Sequence, residues 1–170
     1  VLVAARVLNN KSRYNQLELT SGRMATVNQG DVIVGALGHR KALRGYSGHL
    51  PTALKPGDTI QLLNFGSVLG ICDSANPDVG APFDCEVLGT VLSFPYLGER
   101  IGIPARAGSS SLEEDPPIDT QGVPVVALAG SCMDSGKTAA ACAIVSRLRH
   151  LGFNVAACKA TGVSLRRDIL

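Results

Sequence analysis

Tryptophan is absent from this 170-residue chain, and there are only 4 Phe and 3 Tyr. That removes the stacking platforms on which a single-strand nucleic-acid binder lays its bases. A formal net charge of +2 supplies no basic field for a phosphate backbone either. No apolar run reaches the roughly 18 residues that a membrane helix needs. The opening VLVAARVLNNKSRYN is apolar for a few residues only, with no charged stretch before it, so it does not read as a signal peptide. Charged residues are scarce at 18%, against 45% apolar, which is a globular rather than a disordered balance. Neither a nucleic-acid partner nor a membrane is expected.

Cys-x-x-Cys pairs are missing too. The five cysteines, Cys72, Cys85, Cys132, Cys142 and Cys158, are odd in number and are expected as reduced thiols of a cytoplasmic protein. Cys142 and Cys158 are expected in a core. The three histidines lie at no ligand spacing along the chain, so no zinc site is drawn. The chain starts on Val and stops soon after one strand–helix–strand pattern, which suggests a fragment of a longer protein.

What is present divides the chain into three. Residues 1–104 are expected to form a small all-β domain, a barrel or sandwich. Gly30 to Leu37, Gly57 to Asn64, Ser67 to Asp73 and Phe83 to Phe94 are apolar, β-branched-rich runs punctuated by glycine. Gln16 to Thr20 alternates like an edge strand. The phrases GDVI and GDTI, 27 residues apart, suggest either a duplicated hairpin or shared turn chemistry. Residues 105–122 read as a flexible linker rich in Ser, Gly, Pro and acid. Residues 123–170 change character. VPVVALAG is a continuous apolar run typical of a buried parallel strand. GKTAAACAIVSRLRHLG is helical, with Ala140, Ile144, Leu148 and Leu151 on one face and Gly152 as its C-terminal cap. FNVAACKA is a second strand. Together they predict an α/β fold class here, a parallel βαβ unit.

Between the first expected strand and the helix lies GSCMDSGKT, Gly130 to Thr138. A helix start offers unpaired N–H groups and the positive end of a dipole, and a loop of small residues lets them wrap a phosphate. The nucleotide-binding residues are therefore Gly130, Ser131, Cys132, Met133, Asp134, Ser135, Gly136, Lys137 and Thr138. Lys137 reaches the terminal phosphates, and the Thr138 hydroxyl is the Mg²⁺ ligand. Five residues separate the two glycines where the common Gly-x4-Gly-Lys-Thr loop has four, and Ser131 stands where that pattern wants glycine.

This loop resembles the lengthened P-loop of dethiobiotin synthetase and its relatives, Gly-Thr-Asp-Thr-x-Val-Gly-Lys-Thr. The likeness extends over about residues 123–168, through the helix and its Gly-Phe turn to Lys159. It implies the first βαβ of a P-loop NTPase, ATP and Mg²⁺ as cofactors, and phosphoryl transfer to a carboxylate or carbamate of a small-molecule acid. Lys137 and Lys159 then hold the catalytic positions, and Asp134 stands at an acidic position of the synthetases. Cys132 replaces the loop aspartate, and KATGVS lacks the family's proline after the lysine. The alternative is a nucleotide-dependent switch or assembly protein whose β domain binds a partner. Two strands and one helix cannot close a sheet, so a partner chain, such as a second copy in a homodimer, is a further expectation.

Other candidates are weaker. His39, Arg40, Lys41, Arg44 and His49 gather between two strands and suit an acidic ligand or a solvated connection. Asp73, Asp78, Asp84 and Glu86 read as a surface loop more readily than a metal site. Arg166, Arg167 and Asp168 fall where substrate-side loops often lie. Cys132, near a helix start and Lys137, is a candidate low-pKa thiol or simply a small loop residue.

Overall fold

Alternation drives the first hundred residues. In LVAARV, every second side chain (Val3, Ala5, Val7) is buried, the period of a strand with one face on a core. The computed structural model describes residues 1–42, 44–96, 98, 100–108, 119–132, 135–160 and 165. They fall into two units, Val1–Ser110 with Val163–Leu170, and Ser111–Gly162.

The first unit carries β1 (Leu2–Val7), β2 (Gln16–Glu18), β3 (Met24–Thr26), β4 (Val32–Leu37) and β5 (Tyr46–His49). It continues with β6 (Thr59–Leu62), β7 (Val68–Ala75), β8 (Phe83–Thr90), β9 (Leu92–Ser93) and β10 (Ile103–Pro104). Strands β4, β1, β8, β6, β7 and β5 hydrogen-bond in that order, each pair antiparallel. A short parallel pairing of β4 with β7 joins the ends of the first five, so the sheet curls back on itself. Gly35 permits that approach: a Cβ there would lie 2.6 Å from the Ser67 carbonyl oxygen and 2.7 Å from Leu69. The inward side chains Val7, Ile60, Leu69, Phe83 and Cys85 fill the interior.

The two Gly-Asp phrases make the same turn. Gly30 and Gly57 both adopt φ of 92°. In each, the aspartate carboxylate accepts from the backbone N–H three residues before it, Asn28 and Lys55. Gly30 N–H donates to the Val7 carbonyl, and Gly57 N–H to that of Val87, each at 2.8 Å. The two glycines thus start β4 beside β1 and β6 beside β8 by one piece of chemistry.

The second unit differs from expectation. Its one regular element among the described residues is α1 (Lys137–His150). Neither 123–130 nor 153–160 forms a strand. The expected α/β class, a parallel βαβ of a P-loop NTPase, is therefore corrected: among the described residues the fold is mainly antiparallel β with one α-helix. The physical reason is the ladder. A strand exists only where a neighbouring strand takes up its N–H and C=O groups, and neither run joins a sheet among the described residues. Val125 and Val126 are accordingly 75% and 71% exposed, and no residue of α1 is buried. Cys142 and Cys158, expected in a core, are exposed, and all five cysteines are free thiols.

Candidate phosphate-binding loop

Gly136 sets the geometry of the loop. Its φ of 83° is left-handed, and it stands as N-cap of α1 with no side-chain hydrogen bond to the helix start. Gly is the residue that takes this turn without a steric penalty. No acidic residue occupies the first turn, so the positive end of the helix meets the Lys137 ammonium with no protein carboxylate in that turn. At the other end, Phe153 N–H bonds the Leu148 carbonyl and Gly152 N–H that of Arg149, a Schellman cap. Arg147, Arg149 and His150 complement the negative end. The expected Gly152 stop is where the sequence places it.

Lys137 is half-buried and folds back over its own loop. Its Nζ donates to the Cys132 carbonyl at 2.5 Å and to Ser135 Oγ at 3.1 Å. Gly130 lies beneath: a Cβ there would collide with Ser135 Oγ and lie 2.9 Å from the Lys137 side chain. Gly130, Cys132, Ser135 and Lys137 are therefore one assembly, and the two acceptors of the ammonium among the described residues are neutral. Ser131, Cys132, Ser135, Gly136 and Thr138 are exposed. Met133 and Asp134 lie outside the described residues.

The residues suit a phosphate better than they suit a bare metal. Small residues, a helix start without a side-chain cap and a lysine that donates, among the described residues, to neutral oxygens offer an anion both donors and charge. For Mg²⁺ the loop offers the Thr138 hydroxyl, and an ion held chiefly by nucleotide phosphates and water asks little more. No group of three or more His, Cys, Asp or Glu among the described residues is placed to hold a metal ion. Lys159 is half-buried in the stretch that forms no strand. Arg166, Arg167 and Asp168 fall outside the described residues, as do residues 109–118 of the expected linker.

The basic cluster of the first unit is split. Arg40 turns inward, its guanidinium donating to the Leu63 carbonyl and, at 3.3 Å, to the Tyr14 hydroxyl. His49 instead pairs with Asp73 through Nδ1 at 2.6 Å on the surface. Sequence reasoning missed Lys11, whose Nζ donates to the Tyr46 hydroxyl, to Val79 O at 3.2 Å and to Ala81 O at 2.7 Å. It also lies 4.9 Å from the Tyr46 ring centre. Burial lowers the Lys11 pKa. Tyr46 is pushed up to about 12, by burial first and then by Tyr14 and Cys72, with Arg40 opposing. With three acceptors in place, Lys11 ties loop 79–81 to the sheet. No local sequence signal marks it, because its partners lie 35 to 70 residues away.

No helix among the described residues is long and apolar enough to cross a membrane. Comparison with protein-family models, curated proteins and solved structures gives no significant match. The resemblance to dethiobiotin synthetase and its P-loop relatives is corrected accordingly: no relative supports it, and a mostly antiparallel sheet with one helix fits that family poorly.

Proposed function

We propose that residues 130–138 bind the phosphates of a nucleotide, ATP with Mg²⁺ being the ligand to test first. The observation that carries this reading is the start of α1. It has a left-handed glycine, no side-chain cap, no acidic residue in its first turn, and a lysine whose acceptors among the described residues are neutral. A phosphate would take the first-turn N–H groups and draw the Lys137 ammonium off the Cys132 carbonyl. Transfer to a carboxylate or carbamate, with Lys159 orienting the acceptor, drew its support from the corrected resemblance and is not part of this reading.

The measurement is calorimetric titration of the chain with ATP and Mg²⁺, then of Lys137→Ala. A charge-assisted hydrogen bond contributes about 1.5–3 kcal/mol, so the variant should bind roughly 10- to 100-fold more weakly. Equal affinity of the two proteins, or no binding at millimolar ATP, removes the proposal.

A second reading has its own observation. The β9–β10 hairpin leaves Leu92, Phe94, Tyr96, Ile101 and Ile103 exposed, Ile101 at 71%. Scattered apolar residues are ordinary on a surface, but five on one hairpin suit a protein contact. The nucleotide would then act as a switch, and the first unit would bind a partner. ATP binding without phosphate release favours the switch, and turnover lost in Lys137→Ala favours an enzyme.

A further inference from the structure

The Lys11 ammonium sits in a cage whose walls other elements build. Tyr46 opens β5 and Phe83 opens β8, and each is 1% exposed. Gly80, at φ 69°, turns the chain between Val79 and Ala81. The carbonyls of those two residues converge, each 3.3 Å from the Tyr46 hydroxyl. This loop has anchors of its own. Asn76 N–H donates to the Gly45 carbonyl, and the Asn76 side chain accepts from Asp78 N–H, both at 2.9 Å.

The cage matches an ammonium group by group. Lys11 Nζ carries three N–H donors, and three oxygens receive them: the Tyr46 hydroxyl and the Val79 and Ala81 carbonyls. The rings of Tyr46, Phe83 and Tyr14 stand 4.9, 5.5 and 6.0 Å from Nζ, a range at which a ring attracts a cation. Among the described residues no carboxylate pairs with Lys11. Rings and dipoles thus select positive charge, while the oxygens select N–H groups.

The segment that delivers Lys11 is held by its side chains. Among the described residues, no backbone–backbone hydrogen bond involves residues 9–14. Tyr14 takes a left-handed φ of 52°, which a bulky residue adopts only at a cost. Stacking on Phe65, with ring centres 4.0 Å apart, and the Arg40 guanidinium on its hydroxyl hold it there. Lifting this strap would relax that φ and leave Tyr46, Phe83 and loop 76–81 in place.

We propose that Tyr46, Phe83 and the Val79 and Ala81 carbonyls form a recognition site for the primary ammonium group of an amine ligand, which Lys11 fills as a built-in competitor. The contact is autoinhibitory: an amine enters only where Lys11 leaves. The site lies in the first unit and does not rest on the phosphate loop.

The test uses Lys11→Ala. That change keeps Cβ and removes three carbons and the ammonium, the size of propylammonium, which is therefore the probe. The readout is Tm, which a ligand of the folded state raises. Millimolar propylammonium should raise the Tm of Lys11→Ala. It should leave wild type and Lys11→Met unchanged, because their side chains fill the cage. Propanol has the shape without the charge, and tetramethylammonium the charge without N–H groups, so neither should raise it. Adding Tyr46→Phe to Lys11→Ala should weaken the uptake about 10-fold, since one acceptor of a charged donor is lost. Where Lys11→Ala is unfolded in buffer, propylammonium should restore the circular dichroism of the sheet. No rise and no restoration overturns the proposal. An equal rise in wild type, or an equal rise with propanol or tetramethylammonium, also overturns it, since non-specific binding, cavity filling or charge alone would then suffice.

Discussion

At the scale of single residues, the chemistry of the first unit centres on the Lys11–Tyr46 contact. Tyr46 is 1% exposed and its hydroxyl accepts from Lys11. In the folded chain burial keeps the proton on the phenol up to about 12, against an ordinary value of 10.0. The folded pKa is raised, so the associated stability is complete below pH 10 and is lost as pH rises through 12. The full span is worth about 3 kcal/mol. Lys11 runs the other way: its folded pKa is lowered, so its contribution grows as pH rises toward 10.5. Comparing wild type with Tyr46→Phe isolates the phenol. At neutral pH the variant should lose roughly 1 kcal/mol with the missing hydrogen bond. Between pH 10 and 12 that gap should narrow or reverse, read as the urea midpoint against pH. A parallel pair of curves would show that the phenol does not titrate in this way. None of this was legible in the sequence, because Lys11 and Tyr46 meet only through the fold.

Elements were legible where local chemistry decides them. The runs at 30–37, 57–64, 67–73 and 83–94 contain β4, β6, most of β7, β8 and β9, because glycine turns and alternation act within a few residues. The helix began at Lys137 and stopped at Gly152 for similar local reasons. The runs at 123–130 and 153–160 misled, since an apolar stretch states only that it would be buried, not that a neighbour exists to pair it. The loop was legible as a set of small residues before a helix. Its internal bond from Lys137 to the Cys132 carbonyl was not. Gly136 tests the element directly. Substitution by Ala places a Cβ at φ 83°, which costs about 1–2 kcal/mol in the left-handed region. Space is not the obstacle, as nothing lies within 4 Å of that Cβ. Gly136→Ala should therefore lower far-ultraviolet helix signal and weaken ATP binding at least several-fold, with the Tm of the first unit unchanged. Unchanged ATP affinity would show that the left-handed turn does not shape the site.

At the scale of the whole molecule, the two units are unlike in what holds them. Among the described residues, the buried apolar side chains of the first unit come from Val3 to Val87, with Leu165, 7% exposed, besides. The second unit buries no residue of its helix. An unsupported helix of this length is marginal in water, since nucleation is costly and propagation adds little per residue. The cooperative unfolding transition of the chain should thus be that of the sheet. A protein ending at residue 110 loses the second unit and Leu165 but keeps β1 to β10 and the pairing of β4 with β7. Burying a leucine side chain contributes about 1.5–3 kcal/mol, which bounds the destabilisation. The truncated protein should unfold in one transition with an m-value near that of the full chain's main transition, because m follows the surface exposed. Replacing Leu165 by Ala in the full chain should shift the midpoint by as much as truncation does. A larger loss on truncation than in Leu165→Ala would show that this leucine does not bound the destabilisation. A second transition in the full chain would mean that residues 111–162 fold cooperatively on their own.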